Sequence, residues 1–463
     1  MRKADLVIKN GRVVTPYGIT QGDLVIHGGK VLSIGTADRV DSEEEFDAGG
    51  SLVLPGAIDP HMHFGILSPQ DLIQNMETDT GLALSGGVTT GSSTTYVNPK
   101  QTLPESLTEN IELATGRSYI DFKIVPMPFS GDNMEQIKSC AALGANMFKF
   151  LMGYKGADAE MLGCPPSGLT LDLIYQGFSA IAACGAQCKP MIHAEEPYLT
   201  DIFRQKVVRE NRQNMLVAWN DASPGIAEAI DIYKAAMVAK TVGVNLYVVH
   251  VSATESVDLI KHLHSQDHSI TAETCLHYLV RNTEDDLGAL GKVKPPIRTR
   301  VDQERLWRGL REGTITTVGT DTAPGTLEEK KSKSDFWEAP LGLGSNTGLL
   351  LPILFSEGVL KGRINIETLV KILCENPARA LGIYPTKGVL LPGADADMVI
   401  LDPSATMVVE ESRLQTRRGF SIYEGWKVQG LPVATFLRGE LVARGYDVAS
   451  RKKRGKWLPV LPG

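Results

Sequence analysis

Between residues 50 and 375, short apolar runs alternate with longer stretches whose apolar spacing suits helices. The runs are "AIDPHMH" (57–63), "VTTGSSTTYV" (88–97), "FKIVPMP" (122–128), "NMFKFLM" (146–152), "PMIH" (190–193), "NLYVVHV" (245–251), "SITAETC" (269–275) and "TTVGTD" (316–321). Each has the length of a strand. Eight strands with helical connections predict an α/β fold, a (β/α)8 TIM-like barrel over residues 56–375. Outside that region the pattern turns to β structure joined by turns. "LVIKNGRVV" reads as a hairpin with Asn10-Gly11 at its tip, and "DLVIHGGKVLSIG" as a second with Gly28-Gly29. After Gly382 come "GADADMVILDP" and "VATFLRGELVARG". The terminal segments, 1–55 and 376–463, are expected to pair into one small β-sandwich domain.

One run breaks its own pattern. In "GANMFKFLMGYKG" (144–156), Lys149 stands among Met147, Phe148, Phe150, Leu151 and Met152. Lysine is almost never fully buried without a partner. Three readings stay open on these residues: a buried lysine–carboxylate pair, a register that turns Lys149 outward, or a neutral amine that has reacted with carbon dioxide. Burial lowers a lysine's pKa and supplies that neutral amine, and the resulting carbamate is an anion with two oxygens that could bridge two cations.

Barrel enzymes carry their chemistry at the C-terminal ends of the strands. Strand one ends in His61 and His63, which at positions i and i+2 face the same side. Strand five ends in His193, strand six in His250, and strand eight in Asp321. A lone histidine at a strand end is ordinarily a hydrogen-bonded core residue. Four of the nine histidines at the mouth of one predicted barrel point instead to a metal centre. The cluster "KHLHSQDH" (His262, His264, His268) lies in a polar helix-and-turn stretch and is read as surface; His27 and His277 are read as structural.

Composition narrows the class. The net charge of -7 gives no global attraction to nucleic acid, and the basic tail "RKKRGKW" (451–457) is read as a solvated terminus or an intersubunit contact. No apolar run approaches the roughly 20 residues of a membrane helix, and the first residues lack a signal-peptide pattern. Six cysteines without tight pairing, Cys184 and Cys188 among them, fit a reducing cytoplasm.

"PGAIDPHMH", "FKFLMGYKG", "MIHAEE", "VVHVS", "KVKPPIR" and "VGTDTAP" follow one another as in the cyclic amidohydrolases, and the chain resembles the hydantoinases and dihydropyrimidinases over nearly its whole length. The resemblance implies two divalent metal ions, zinc or manganese. His61, His63 and Asp321 would hold one and His193 and His250 the other, with carboxylated Lys149 bridging. It implies hydrolysis of a cyclic ureide amide by a metal-bridging hydroxide, Asp321 moving the proton and Tyr154 contacting the substrate carbonyl. It also suggests a homotetramer. Lys294 and Asn346 are the expected substrate contacts, and here the chain departs from the family. Lys294-Pro295-Pro296 replaces Ser-Pro-Pro, "EAPLGLGSN" (338–346) replaces a "PNG" segment, and Thr322 stands where a histidine is usual. Phe64 and Gly65 follow "HMH" without the arginine of dihydroorotases, which argues against that activity. Allantoinase and cyclic imide hydrolysis are the alternatives of the same chemistry. A non-catalytic scaffold is the alternative of another class, disfavoured because every expected ligand is present. Segments 64–79, 154–169 and 336–346 are expected to set substrate choice.

Overall fold

The computed structural model describes residues 3–461 apart from 16, 38–39, 66–67, 96, 99, 213–214, 324, 334, 415 and 449–451. The N-terminal segment forms β1 (Ala4–Thr15), β2 (Gly18–His27), β3 (Lys30–Gly35), β4 (Ser42–Asp47) and β5 (Leu52–Pro55). The middle of the chain supplies β6 (Ala57–Gly65), β7 (Val88–Thr95), β8 (Asp121–Val125), β9 (Met147–Leu151), β10 (Lys189–His193), β11 (Leu246–Val248), β12 (Ile270–Cys275) and β13 (Thr317–Gly319). The C-terminal segment adds β14 (Met398–Val408), β15 (Lys427–Leu437), β16 (Glu440–Arg444) and β17 (Asp447–Val448).

The eight central strands lie parallel in two arcs, β6-β7-β8 and β9 through β13 in chain order. Backbone hydrogen bonds cross both seams, one at the first and two at the second. Lys149 N–H donates to Pro126 O at 2.9 Å, while Asp321 N–H donates to His61 O at 2.9 Å and His63 N–H to Thr322 O at 2.8 Å. Alternation sorts the side chains of each strand. On β9, Phe148 and Phe150 face the surrounding helices, Phe150 meeting Phe178 edge-on at 5.1 Å. Each such buried ring contributes roughly 1.5–3 kcal/mol. Met147 faces the other way, into a cluster with Ile58, Met191, Tyr247 and Val249, so Lys149, two residues on, is aimed inward as well. That cluster is closed at the N-terminal ends of the strands by Ala378, Leu381 and Ile383. The helices around the arcs carry their own start and stop signals. Helix Arg300–Glu312, for example, opens on the Thr299/Asp302 capping box and ends at Gly313 with φ 74°.

Strands from both chain ends join in one nine-stranded sheet, in which β14 pairs with β5 and β5 with β1. Its core is Leu6, Ile8, Val13, Leu24, Ile26, Val53, Met398, Ile400 and Phe436.

Three expectations are corrected. Residues 6–14 are not a hairpin: β1 runs through Asn10-Gly11, with a bulge at which it changes partner from β4 to β5. Asn10 takes φ 57° there, and a Cβ on Gly11 would lie 2.6 Å from the Val53 side chain, so the Asn-Gly pair marks a close approach rather than a turn. The pair Gly28-Gly29, with φ 61° and 72°, does turn the β2–β3 hairpin. The sixth central strand ends at Val248, and His250 stands beyond it. The basic tail is docked: Lys456 O accepts from Phe122 N–H at 2.9 Å, Leu458 N–H donates to Phe122 O at 3.0 Å, and Lys453 pairs with Glu77 at 2.5 Å. The free β8 edge supplies backbone partners that outweigh solvation of the charges. Arg451 and, beside β7, Tyr96 lie outside the described residues.

Candidate metal centre

His61 and His63 project inward from β6, Lys149 from β9 and His193 from the end of β10; His250 and Asp321 follow β11 and β13 directly. All six are buried, from 1% exposed at His61 and Lys149 to 8% at His63. His61 Nε2 lies 3.0 Å from Lys149 Nζ and 3.5 Å from Asp321 Oδ1, and His63 Nε2 lies 3.0 Å from the same oxygen. The His193 and His250 ring centres are 4.4 Å apart, and those of His61 and His250 are 5.4 Å apart. The six residues thus share one interior wall. His250 and Asp321 both adopt left-handed backbone conformations, φ 41° and 49°. Strain of this kind in non-glycine residues gathers at functional sites.

Neighbours fix which ring nitrogen of three histidines is free. Glu273 Oε1 takes His61 Nδ1 at 2.9 Å, the Thr94 hydroxyl takes His63 Nδ1, and Glu195 Oε2 takes His193 Nε2 at 3.2 Å. His61 and His63 therefore offer Nε2 and His193 offers Nδ1. Burial, with Lys149 nearby, holds His61 down at about 3; burial likewise holds His63 and His193 at about 4 and His250 well below its ordinary range. The imidazoles are therefore neutral, the form that ligates metal. Burial alone would raise the Asp321 carboxyl, yet His61, His63 and Lys149 hold it well below the usual range, so it is an anion.

Lys149 forms no ion pair among the described residues, and burial pushes its ammonium down to about 8. The outward register is excluded, and a buried lysine–carboxylate pair is not formed. Four neutral imidazoles, one carboxylate and one uncompensated amine fit a pair of divalent cations better than any self-contained hydrogen-bond network.

Of the expected substrate contacts, Tyr154 and Lys294 line a cavity of about 480 Å³ that opens from His63, Lys149, His193, His250 and Asp321. The Tyr154 ring lies 5.0 Å from that of His193, and its hydroxyl has no hydrogen bond among the described residues. Lys294 Nζ sits 4.0 Å above the Tyr154 ring centre and donates to Gly153 O at 2.6 Å. Asn346 is elsewhere: it is 1% exposed, donates to Thr320 O at 3.2 Å and does not line the cavity. The reading of His262, His264 and His268 as surface is corrected at His268, which is buried. His264 Nε2 contacts Ile270 O at 2.9 Å, His27 contacts Asp5 at 3.1 Å, and all six cysteines are buried free thiols.

Residues 52–442 match the amidohydrolase family. The chain belongs to the amidohydrolase family. An L-hydantoinase of Paenarthrobacter aurescens is 32% identical over 460 residues, spanning 98% of each chain. A D-hydantoinase of Ralstonia pickettii is 32% identical over 464 residues, again spanning 98% of each. The solved L-hydantoinase (dihydropyrimidinase) of Arthrobacter aurescens superposes with a TM-score of 0.91 at 31% identity, covering 99% of this chain and 100% of that one.

Four supporting residues of this amidohydrolase were not singled out in the sequence. Glu273, fully buried, also accepts from the Tyr247 hydroxyl at 2.7 Å, and burial raises its carboxyl to about 8. Asp59, raised by burial to about 7, takes Thr320 Oγ1 at 2.6 Å and so ties β6 to the Asp321 turn. Glu195 is kept at about 2, burial being outweighed by Lys294, His193 and Ser223. A carboxylate inside an apolar strand was a legible signal for Glu273 and Asp59; Thr94, in a run of Thr and Ser, had none.

Proposed function

We propose that this amidohydrolase opens the amide bond of a cyclic ureide, of hydantoin or dihydropyrimidine type. The observation that carries the reading is the shared inner wall of His61, His63, Lys149, His193, His250 and Asp321, with Tyr154 across the cavity. We assign His61, His63 and Asp321 to one divalent cation, zinc or manganese, and His193 and His250 to the other. Lys149 would help hold both as a carbamate, formed when its Nζ bonds to the carbon of carbon dioxide and loses a proton. When bound, the cations lower the pKa of a water and polarise a carbonyl. Asp321 would hold the proton of the attacking water at a carboxylate oxygen and return it to the departing ring nitrogen as the amide C–N bond breaks. The Tyr154 hydroxyl, raised well above its ordinary range by burial and by Glu195, keeps its proton and donates a hydrogen bond to the carbonyl oxygen as charge develops there. The backbone around Lys294 orients the ring, and Asn346 positions the turn at Thr320 from behind.

The same reading extends to architecture. We propose that the eight strands close as a (β/α)8 barrel through the two seams, that the terminal sheet folds as a β-sandwich, and that the chain divides near residues 55 and 375. A homotetramer is supported by the apolar face of helix Gly225–Val242, where Ile226, Ile230, Tyr233 and Met237 are exposed at helical spacing. A cytoplasmic location is supported by the six unpaired thiols; no helix among the described residues is long and apolar enough to cross a membrane.

The test is a ring-opening panel on protein loaded with zinc or manganese and bicarbonate: hydantoin, both enantiomers of a 5-substituted hydantoin, dihydrouracil, allantoin and succinimide. Turnover of a hydantoin or of dihydrouracil is expected. Turnover of allantoin or succinimide alone would move the assignment to the alternatives. Silence with two metals verified per chain would overturn it.

A further inference from the structure

Away from the metal-facing wall, the cavity is lined by Arg204, Trp219, Lys292 and Trp337, with Met161 and Leu162 across from the polar groups of the centre. Its volume exceeds that of a bare five- or six-membered ring. The Arg204 guanidinium lies 5.8 Å from the ring centre of Trp219 and 5.9 Å from that of Trp337. Lys292 Nζ lies 4.6 Å from the same Trp219 ring. Two cations therefore flank one indole, and neither forms an ion pair among the described residues. Lys292 is held by the main-chain carbonyls of Trp337 and of Ala339, the latter at 2.8 Å, which fix the ammonium without neutralising it. Lys292 is 5% exposed, and burial together with Arg204 pushes it down to about 8. Asp158, which is exposed, and Asp335, which is half-buried, favour the Lys292 charge from a distance, but among the described residues no carboxylate forms an ion pair with either cation.

Like charges held together in a partly desolvated pocket repel, and an anion between them removes most of that repulsion. A guanidinium also matches a carboxylate in shape, accepting it through two parallel hydrogen bonds. We infer that Arg204 and Lys292 form a subsite for an acidic ring substituent: the substrate is a cyclic ureide whose side chain ends in a carboxylate, its linker lying against Trp219 and Trp337. This rests on the ring-opening reading above and names the substrate class within it.

The experiment compares 5-(2-carboxyethyl)hydantoin with its near-isosteric amide, 5-(2-carbamoylethyl)hydantoin, and with unsubstituted hydantoin. The acid is expected to exceed the amide at least tenfold in kcat/KM, mainly through KM. Arg204→Gln is expected to cut that acid-to-amide ratio by about tenfold, and Arg204→Lys to restore part of it. A merely structural arginine would lower both substrates together. Calorimetric titration of the two ligands separates this inference from the reading it rests on. If no hydantoin is turned over, the ring-opening assignment fails, while tenfold tighter binding of the acid would still uphold the subsite. Equal kcat/KM and equal affinity, or binding of neither ligand, would overturn it.

Discussion

Two lysines of this chain are equally hidden and chemically opposite. Lys149 and Lys387 are 1% and 2% exposed. Lys387 Nζ meets Asp121 at 2.5 Å, Asp397 at 2.7 Å and Asp395 at 2.9 Å, and Asp121 also takes Arg438 at 2.5 Å. Burial works against the Lys387 charge, but the three aspartates outweigh it and hold the ammonium above its ordinary range. Lys149 meets an imidazole and forms no ion pair among the described residues; burial outweighs the pull of Asp321 and Glu273 and pushes it the other way. Burial therefore does not set a lysine's role; its neighbours do. The aspartate-bound lysine is a rivet between β8 and the segment leading into β14, and the uncompensated one is available for reaction.

The comparison breaks most visibly if the two are exchanged in effect. Lys149→Ala is expected to lower kcat on the order of 10⁴-fold, because the groups of such a site act as a unit. Metal analysis should then find fewer than two ions per chain, with far-ultraviolet circular dichroism unchanged. Two full metals in the variant would remove the bridging role. Lys387→Met removes the one cation that Asp121, Asp395 and Asp397 share, leaving Arg438 on Asp121 and Lys30 on Asp395, which costs roughly 3–5 kcal/mol of stability. Urea unfolding should register that loss while activity per folded molecule persists. Unchanged stability with lost turnover would mean that the aspartate cluster belongs to the chemistry after all.

Much of this contrast is legible in the sequence alone. The eight strands were placed within a few residues because each is an apolar run with clear ends, and His61, His63, His193, His250 and Asp321 announced themselves by standing at those ends. Lys149 was legible as an anomaly, though its inward register needed the alternation of Phe148 and Phe150 against Met147. What could not be read was pairing at a distance. Asn10-Gly11 looks the same whether it turns a hairpin or bends a strand, since only the approach of Val53 distinguishes them. The docked tail depends on an open β8 edge contributed from more than three hundred residues away. Arg204, Trp219, Lys292 and Trp337 come from four separate stretches, and no local pattern links them.

Glu273 sharpens the same point on a smaller scale, being a carboxylate that serves an imidazole rather than an ammonium. It holds His61 Nδ1 at 2.9 Å and so keeps Nε2 turned toward Lys149. Glu273→Gln preserves shape but puts an amide where the carboxyl takes His61 Nδ1, and is expected to weaken metal affinity by about 10–100-fold, the usual effect of altering a ligand's hydrogen-bonded support. Competition with a chelator measures it. Affinity equal to wild type would show that the β6 backbone alone orients His61.

The smallest expected effect is the most diagnostic of the rivet. A group whose folded pKa is raised adds stability that is complete below its unfolded pKa, here 10.5, and is lost as pH climbs through the folded value. The stability gap between wild type and Lys387→Met should therefore stay constant from neutral pH to about 10. Above that it should shrink, by at most about 1.4 kcal/mol per pH unit. Denaturant titrations at matched pH values give both curves. A gap that instead widened between neutral pH and about 10 would mean that the buried ammonium is a net burden the aspartates fail to offset. Lys387 would then resemble Lys149 in energetics, and the distinction between the two sites would rest on geometry alone.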